Sequence, residues 1–143
     1  MEGSNSILDL KVKAMWKRKI FSLIVTIIMF FGFYFVSEIY LQKLYLFEWT
    51  SRHLYLGIWM IAIALILFNK ILISFSITIG NFAGVVLGQY MGEWLRQQNI
   101  SKIVPAMDPQ TVYQLQHHPG VEIWLLTIGV FSLLSLLLGK LRI

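Results

Sequence analysis

The chain has 143 residues, enough for one domain, and is 57% apolar and 13% charged, where soluble chains run near 45–50% and 25%. Without cysteine, disulfides, thiolate catalysis and Cys-ligated metals are excluded. The net charge of +5 does not read as a nucleic-acid surface, because Lys11, Lys13, Lys17, Arg18 and Lys19 gather just before the first apolar run, where cations anchor a span and meet anionic lipid head groups.

At the amino terminus, Ser6 and Asp9 have capping-box spacing, with Asp replacing the usual Glu or Gln. Beyond them Leu8, Val12, Met15 and Trp16 share one helical face while lysines take the others. The pattern predicts a basic amphipathic helix lying on the membrane surface; the plainer alternative is a charged lead-in to the first span. That span, residues 20–36, outruns the apolar core of a signal peptide and is followed by no small-residue cleavage site, so it is expected to be retained.

Three more apolar runs follow, at about 54–68, 71–91 and 123–138. A hydrocarbon layer of about 30 Å needs roughly 17–25 residues of helix, and these runs are too long and too little alternating for barrel strands. The fold class expected is an all-α membrane bundle of about four spans forming a single domain. Asn69 and Lys70 form the one polar dipeptide between the second and third runs, and so predict a tight helix–helix turn.

With the amino terminus inside, Lys11, Lys13, Lys17, Arg18, Lys19, Lys70, Lys140 and Arg142 fall on the inner side, and Lys43, Arg52, Arg96 and Lys102 on the outer. That bias predicts a multi-pass protein of the cell membrane with both termini cytoplasmic. The first outer loop crowds Tyr40, Tyr45, Phe47 and Trp49 beside two spans, which reads as an interfacial aromatic belt. The second holds all three prolines; Asp108 and Pro109 supply an N-cap and a first helical residue, and Pro119–Gly120 a stop. A short helix from 109 to about 117 is expected, turning Val112 and Leu115 inward.

The third run carries Gly80, Gly84, Gly88 and Gly92 at every fourth position, extended by Ser76. Small-xxx-small faces let helices approach closely where lipid offers no hydrophobic drive, and this series resembles the glycine-zipper helices of channels and oligomeric membrane proteins. Gly129, Ser132, Ser135 and Gly139 make a complementary small face on the fourth run. Beside the glycines lie Ser74, Thr78, Asn81 and Gln89, suited either to interhelical hydrogen bonds or to a polar pathway or ligand site, while Phe75, Ile79, Phe82, Val86 and Tyr90 are expected to face lipid.

None of the four runs contains Asp, Glu, Lys, Arg or His, which argues against a self-contained proton pump or voltage sensor. The strongest candidates for chemistry are Asp108, His117, His118 and Glu122, which suit helix capping, pH sensing or, less well, a metal or catalytic site, because adjacent helical residues point apart. No metal or cofactor is indicated. The leading expectation is a non-enzymatic pore, transporter unit or membrane subunit of a transport complex, assembling through the glycine face as a homo-oligomer or within a larger complex. The alternatives are a membrane-embedded enzyme acting on lipid or envelope substrates at the outer face, and a regulatory or immunity protein.

Overall fold

The computed structural model describes the backbone of residues 2–141 and the side chains of residues 9–140; the capping box at Ser6, the Leu8 contact and Arg142 fall outside those side chains. Every regular element among the described residues is helical: α1 (Glu2–Tyr40), α2 (Tyr45–Arg52), α3 (Ile58–Leu67), α4 (Ile71–Ile100), α5 (Pro109–Leu115) and α6 (Gly120–Leu141). Three of them, α1, α4 and α6, are long and apolar enough to cross a membrane.

The interior is inverted relative to a water-soluble protein. Ser22, Thr26, Ser37, Thr50, Ser51, Ser74, Thr78, Asn81 and Gln89 are buried. Phe21, Ile28, Phe31 and Phe35 of α1 and Leu126, Leu133 and Leu137 of α6 are exposed. Water would penalise that outer surface, whereas lipid tails match it and leave small and hydrogen-bonding residues to hold helices together.

Residues 9–40 do not break between the basic stretch and the first span. α1 is one helix of 39 residues, about 58 Å long, so the expected separate helix lying along the surface is instead its continuation. No glycine or proline interrupts residues 10–31 to allow a bend. At its basic end the Lys19 ammonium donates to the Leu67 carbonyl at 3.0 Å, placing a cation on the negative end of α3. Lys19, expected to face lipid head groups, is thereby drawn into the protein.

The segment between the first two runs departs most from expectation. Residues 45–52 are not a loop but α2, whose Leu46, Phe47, Thr50 and Ser51 are buried while Glu48 and Arg52 pair on the other face at 2.7 Å. The aromatic crowding that reads as an interfacial belt belongs in part to the bundle itself, since Phe47 is buried and the Tyr45 ring meets that of His118. The second run is shortened in turn: α3 has 10 residues, about 15 Å, half a hydrocarbon layer. Leu54, Tyr55, Leu56 and Gly57 all take positive φ, a single left-handed turn, and α2 and the 54–67 segment meet at 56°. The expected second span is thus a bent pair rather than one straight helix, and it adds a fourth candidate crossing only when the pair is counted as one broken span.

At the basic end, α3 closes as anticipated. Asn69 takes φ 62°, a conformation asparagine tolerates, and the amides of Phe68, Asn69 and Lys70 return to the carbonyls of Ala64, Ile66 and Leu65. α4 then runs to the loop end, and α6 returns antiparallel along it. The most extensive helix pairing in the chain is α4 with α6.

Candidate functional site at the loop end of the α4–α6 seam

The glycines of α4 dictate the seam. A Cβ added at Gly80 would lie 2.9 Å from the Phe131 Cβ, one at Gly84 2.8 Å from the Trp124 ring, one at Gly88 2.5 Å from the Gly120 carbonyl oxygen, and one at Gly92 2.5 Å from the His118 ring. The whole stripe is therefore covered by α6 and the turn before it, within one chain. Ser76 is half-buried beside the stripe. On α6 the face in contact with the glycines is Gly120, Trp124, Thr127, Ile128 and Phe131; of the expected small face only Ser135 is buried, while Gly129 and Gly139 have open space around their Cα atoms and Ser132 turns its hydroxyl to the Ile128 carbonyl. Large side chains of α6 fill the trough that α4's glycines leave.

The polar side chains of α4 tie that seam to the other elements. Ser74 donates to the Ala62 carbonyl of α3 at 2.7 Å, and Thr78 back-bonds to the Ser74 carbonyl. Asn81 accepts from the Trp124 indole N–H at 3.0 Å, leaving its own amide nitrogen without a partner. Gln89 accepts from the Leu46 amide at 2.7 Å, one of the first-turn N–H groups of α2 that no helix bonds by itself. Phe82, expected to face lipid, is tucked between Phe30 and Phe33 with ring centroids 5.4 and 4.5 Å away.

At the loop end the seam finishes in a polar cluster. The His118 ring is buried between Gly92 and Gly120 and lies 4.5 Å from the Tyr45 ring. Its Nδ1 accepts from the Gly120 amide at 3.1 Å, so the proton sits on Nε2. That nitrogen has no hydrogen-bond partner and stands 3.8 Å from the Glu93 carboxylate. Glu93 is held by Arg96 at 3.3 Å and Gln97 at 3.1 Å, and Arg96 donates to the Gln116 carbonyl at 3.2 Å. Burial holds the His118 imidazole below its ordinary pKa, against the opposing pull of Glu93.

The four residues singled out for chemistry do not converge. His117 pairs with Glu122 at 2.8 Å on the surface. Asp108 caps α5 through the Thr111 amide at 2.9 Å, and its hydrogen bonds to Thr111 hold its carboxyl below the usual range. Val112 and Leu115 are half-buried on α5, as is Thr111, and none of its residues is fully buried. Only His118 joins the seam, and it does so with Glu93, Arg96 and Tyr45, which spacing along the chain does not associate with it. The i, i+3 pair Glu93–Arg96 was the one local signal pointing there.

Two further recesses open on the flanks of α1. Thr26, Phe30, Tyr34, Tyr55 and Trp59 line a groove of about 400 Å³ against the left-handed turn, and Arg18 borders another at the basic end. No family model, curated protein or solved structure matches this chain.

Proposed function

We infer that this chain is a non-enzymatic polytopic membrane protein, crossing four times with both termini cytoplasmic, that serves as a membrane subunit of a larger assembly such as a transport complex. The observation that carries the reading is the use of α4. Its glycines, Ser74, Asn81 and Gln89 all meet elements of the same chain. The side chains suited to lining a polar path are thus committed to holding one bundle together, which favours a supporting subunit over a self-contained conduit.

The distribution of cations supports the orientation. Lys11, Lys13, Lys17, Arg18, Lys19, Lys70 and Lys140 gather at the basic end, against Lys43, Arg52, Arg96 and Lys102 at the other, and the richer side faces the cytoplasm. Native mass spectrometry of the chain released from its own membranes in mild detergent tests the reading. A discrete complex with other polypeptides is expected; a bare monomer, or a homo-oligomer that conducts by itself in planar bilayers, would overturn it.

A further inference from the structure

The turn between α5 and α6 is tied down by two contacts, and both depend on one carboxylate oxygen of α4. Arg96 Nε donates to the Gln116 carbonyl at 3.2 Å, while the same guanidinium reaches Glu93 Oε2 at 3.3 Å. The His118 Nε2 stands 3.8 Å from that same Oε2, beyond hydrogen-bond range. Two residues on, the Gly120 amide donates to His118 Nδ1 at 3.1 Å. Residues 116–120 are therefore held at one end by an arginine and at the other by a neutral imidazole.

The imidazole sits in a fitted slot. His118 is only 7% exposed, and a Cβ at Gly92 or Gly120 would lie 2.5 or 2.7 Å from its Cε1. The Tyr45 ring of α2 covers it, with centroids 4.5 Å apart. Of the charged groups near it, Glu93 favours an imidazolium, while Arg96 and His117 oppose one. His117 is paired with Glu122 on the surface, and Glu48 and Arg52 of α2 pair with each other. Glu93, whose side chain is 36% exposed, is thus the anion an imidazolium would meet.

We propose that His118 and Glu93 form a proton-operated latch on the turn that joins α5 to α6. A proton entering at Nδ1 turns an acceptor into a donor that faces the Gly120 N–H, leaving two donors and no acceptor. It also sets a cation at the positive end of α6. The Nε2–H then gains a charge-assisted bond to Glu93 by closing from 3.8 Å to about 2.8 Å. The ring fills its slot so closely that this travel of about 1 Å carries the turn with it. The imidazolium displaces Arg96 from Glu93 Oε2, and residues 116–120 lose both ties to α4. Deeper in the seam the Trp124–Asn81 bond is untouched, so α5 and its flanking turn open while the bundle stays closed. The latch does not depend on the subunit reading above.

The absence of native cysteine allows a direct test. The full chain carrying Gln114→Cys, an exposed position on α5, is labelled with a nitroxide and titrated in phosphatidylcholine nanodiscs from pH 7.5 to 4.5. Spin-label mobility should rise on acidification while the far-ultraviolet dichroism stays constant. Burial opposes the charged imidazole, so the midpoint should fall below the ordinary value of 6.5. Glu93→Gln removes the anion that favours the charged form and should move the midpoint about one pH unit lower. His118→Gln, which keeps an acceptor but cannot titrate, should abolish the transition, and His117→Gln should retain it.

Constant mobility across the range, a transition that survives in His118→Gln, or a midpoint that Glu93→Gln leaves in place would overturn the latch. A loss of helical signal coincident with the transition would do the same, by showing that the bundle unfolds rather than the turn opening. Should His118→Gln not fold, the transition of the His118-containing chain and its displacement in Glu93→Gln decide the matter alone.

Discussion

Asn81 and Gln89 show how a membrane interior uses an amide. Each sits on α4 within a bundle whose outer surface is hydrocarbon-like, and each accepts one hydrogen bond from another element. Such bonds contribute on average about 0.6 kcal/mol, so their value lies in selecting which indole and which amide are met. His118 belongs to the same seam but titrates. Its Nδ1 must stay unprotonated to accept the Gly120 amide, and burial lowers its pKa from the ordinary value of 6.5. The unfolded chain therefore binds the proton more readily, and the stability contributed by neutral His118 is complete above about pH 6.5 and declines as pH falls below it. Melting temperatures of the wild type and His118→Gln from pH 7.5 to 5 should diverge, with the wild type losing more on acidification; parallel curves would remove His118 as the source.

Among the elements, the α4–α6 pairing and the α2–α3 bend pose opposite problems. The pairing works because α4 removes side chains where α6 brings them. Gly88 faces the Gly120 backbone carbonyl, which cannot rotate away, so Gly88→Ala should destabilise the bundle by about 1–3 kcal/mol. Gly129 has nothing within 4 Å, and Gly129→Ala should change stability by less than about 0.5 kcal/mol. Reversible unfolding in mixed micelles compares the two, and equal effects would contradict the seam. The bend needs three non-glycine residues in a left-handed turn, at about 1–2 kcal/mol each. Burial of Tyr55 against Phe30 and Phe33, with centroids 6.0 Å away in both cases, offsets that strain.

For the molecule as a whole, orientation is the property most directly checked in cells. Single cysteines replacing Lys102 and Lys70 should label differently with an impermeant maleimide: Lys102→Cys in intact cells, Lys70→Cys only after permeabilisation. Labelling of both from outside would break the four-crossing topology and the assignment of a cytoplasmic face. The outward-facing leucines of α6 and the buried serines and threonines of α1, α2 and α4 are two sides of the same solvent argument. Together they explain why a chain of this size holds its shape without a large apolar core.

The environment of the chain was legible in the sequence because long apolar runs are a one-dimensional property: hydrocarbon forces each run to satisfy its backbone internally. The turn at Asn69, the Asp108 cap and the close-approach face of α4 were legible for a similar reason, since each depends on residues within one or two turns. The path of residues 45–57, the capping of α3 by Lys19 and the meeting of His118 with Glu93 were not. Those features join positions from 25 to 48 residues apart, or require a backbone conformation that bulky residues avoid. Only the closing of α6 into α4's glycine trough, and of α2 beneath Gln89, brought those groups within bonding distance.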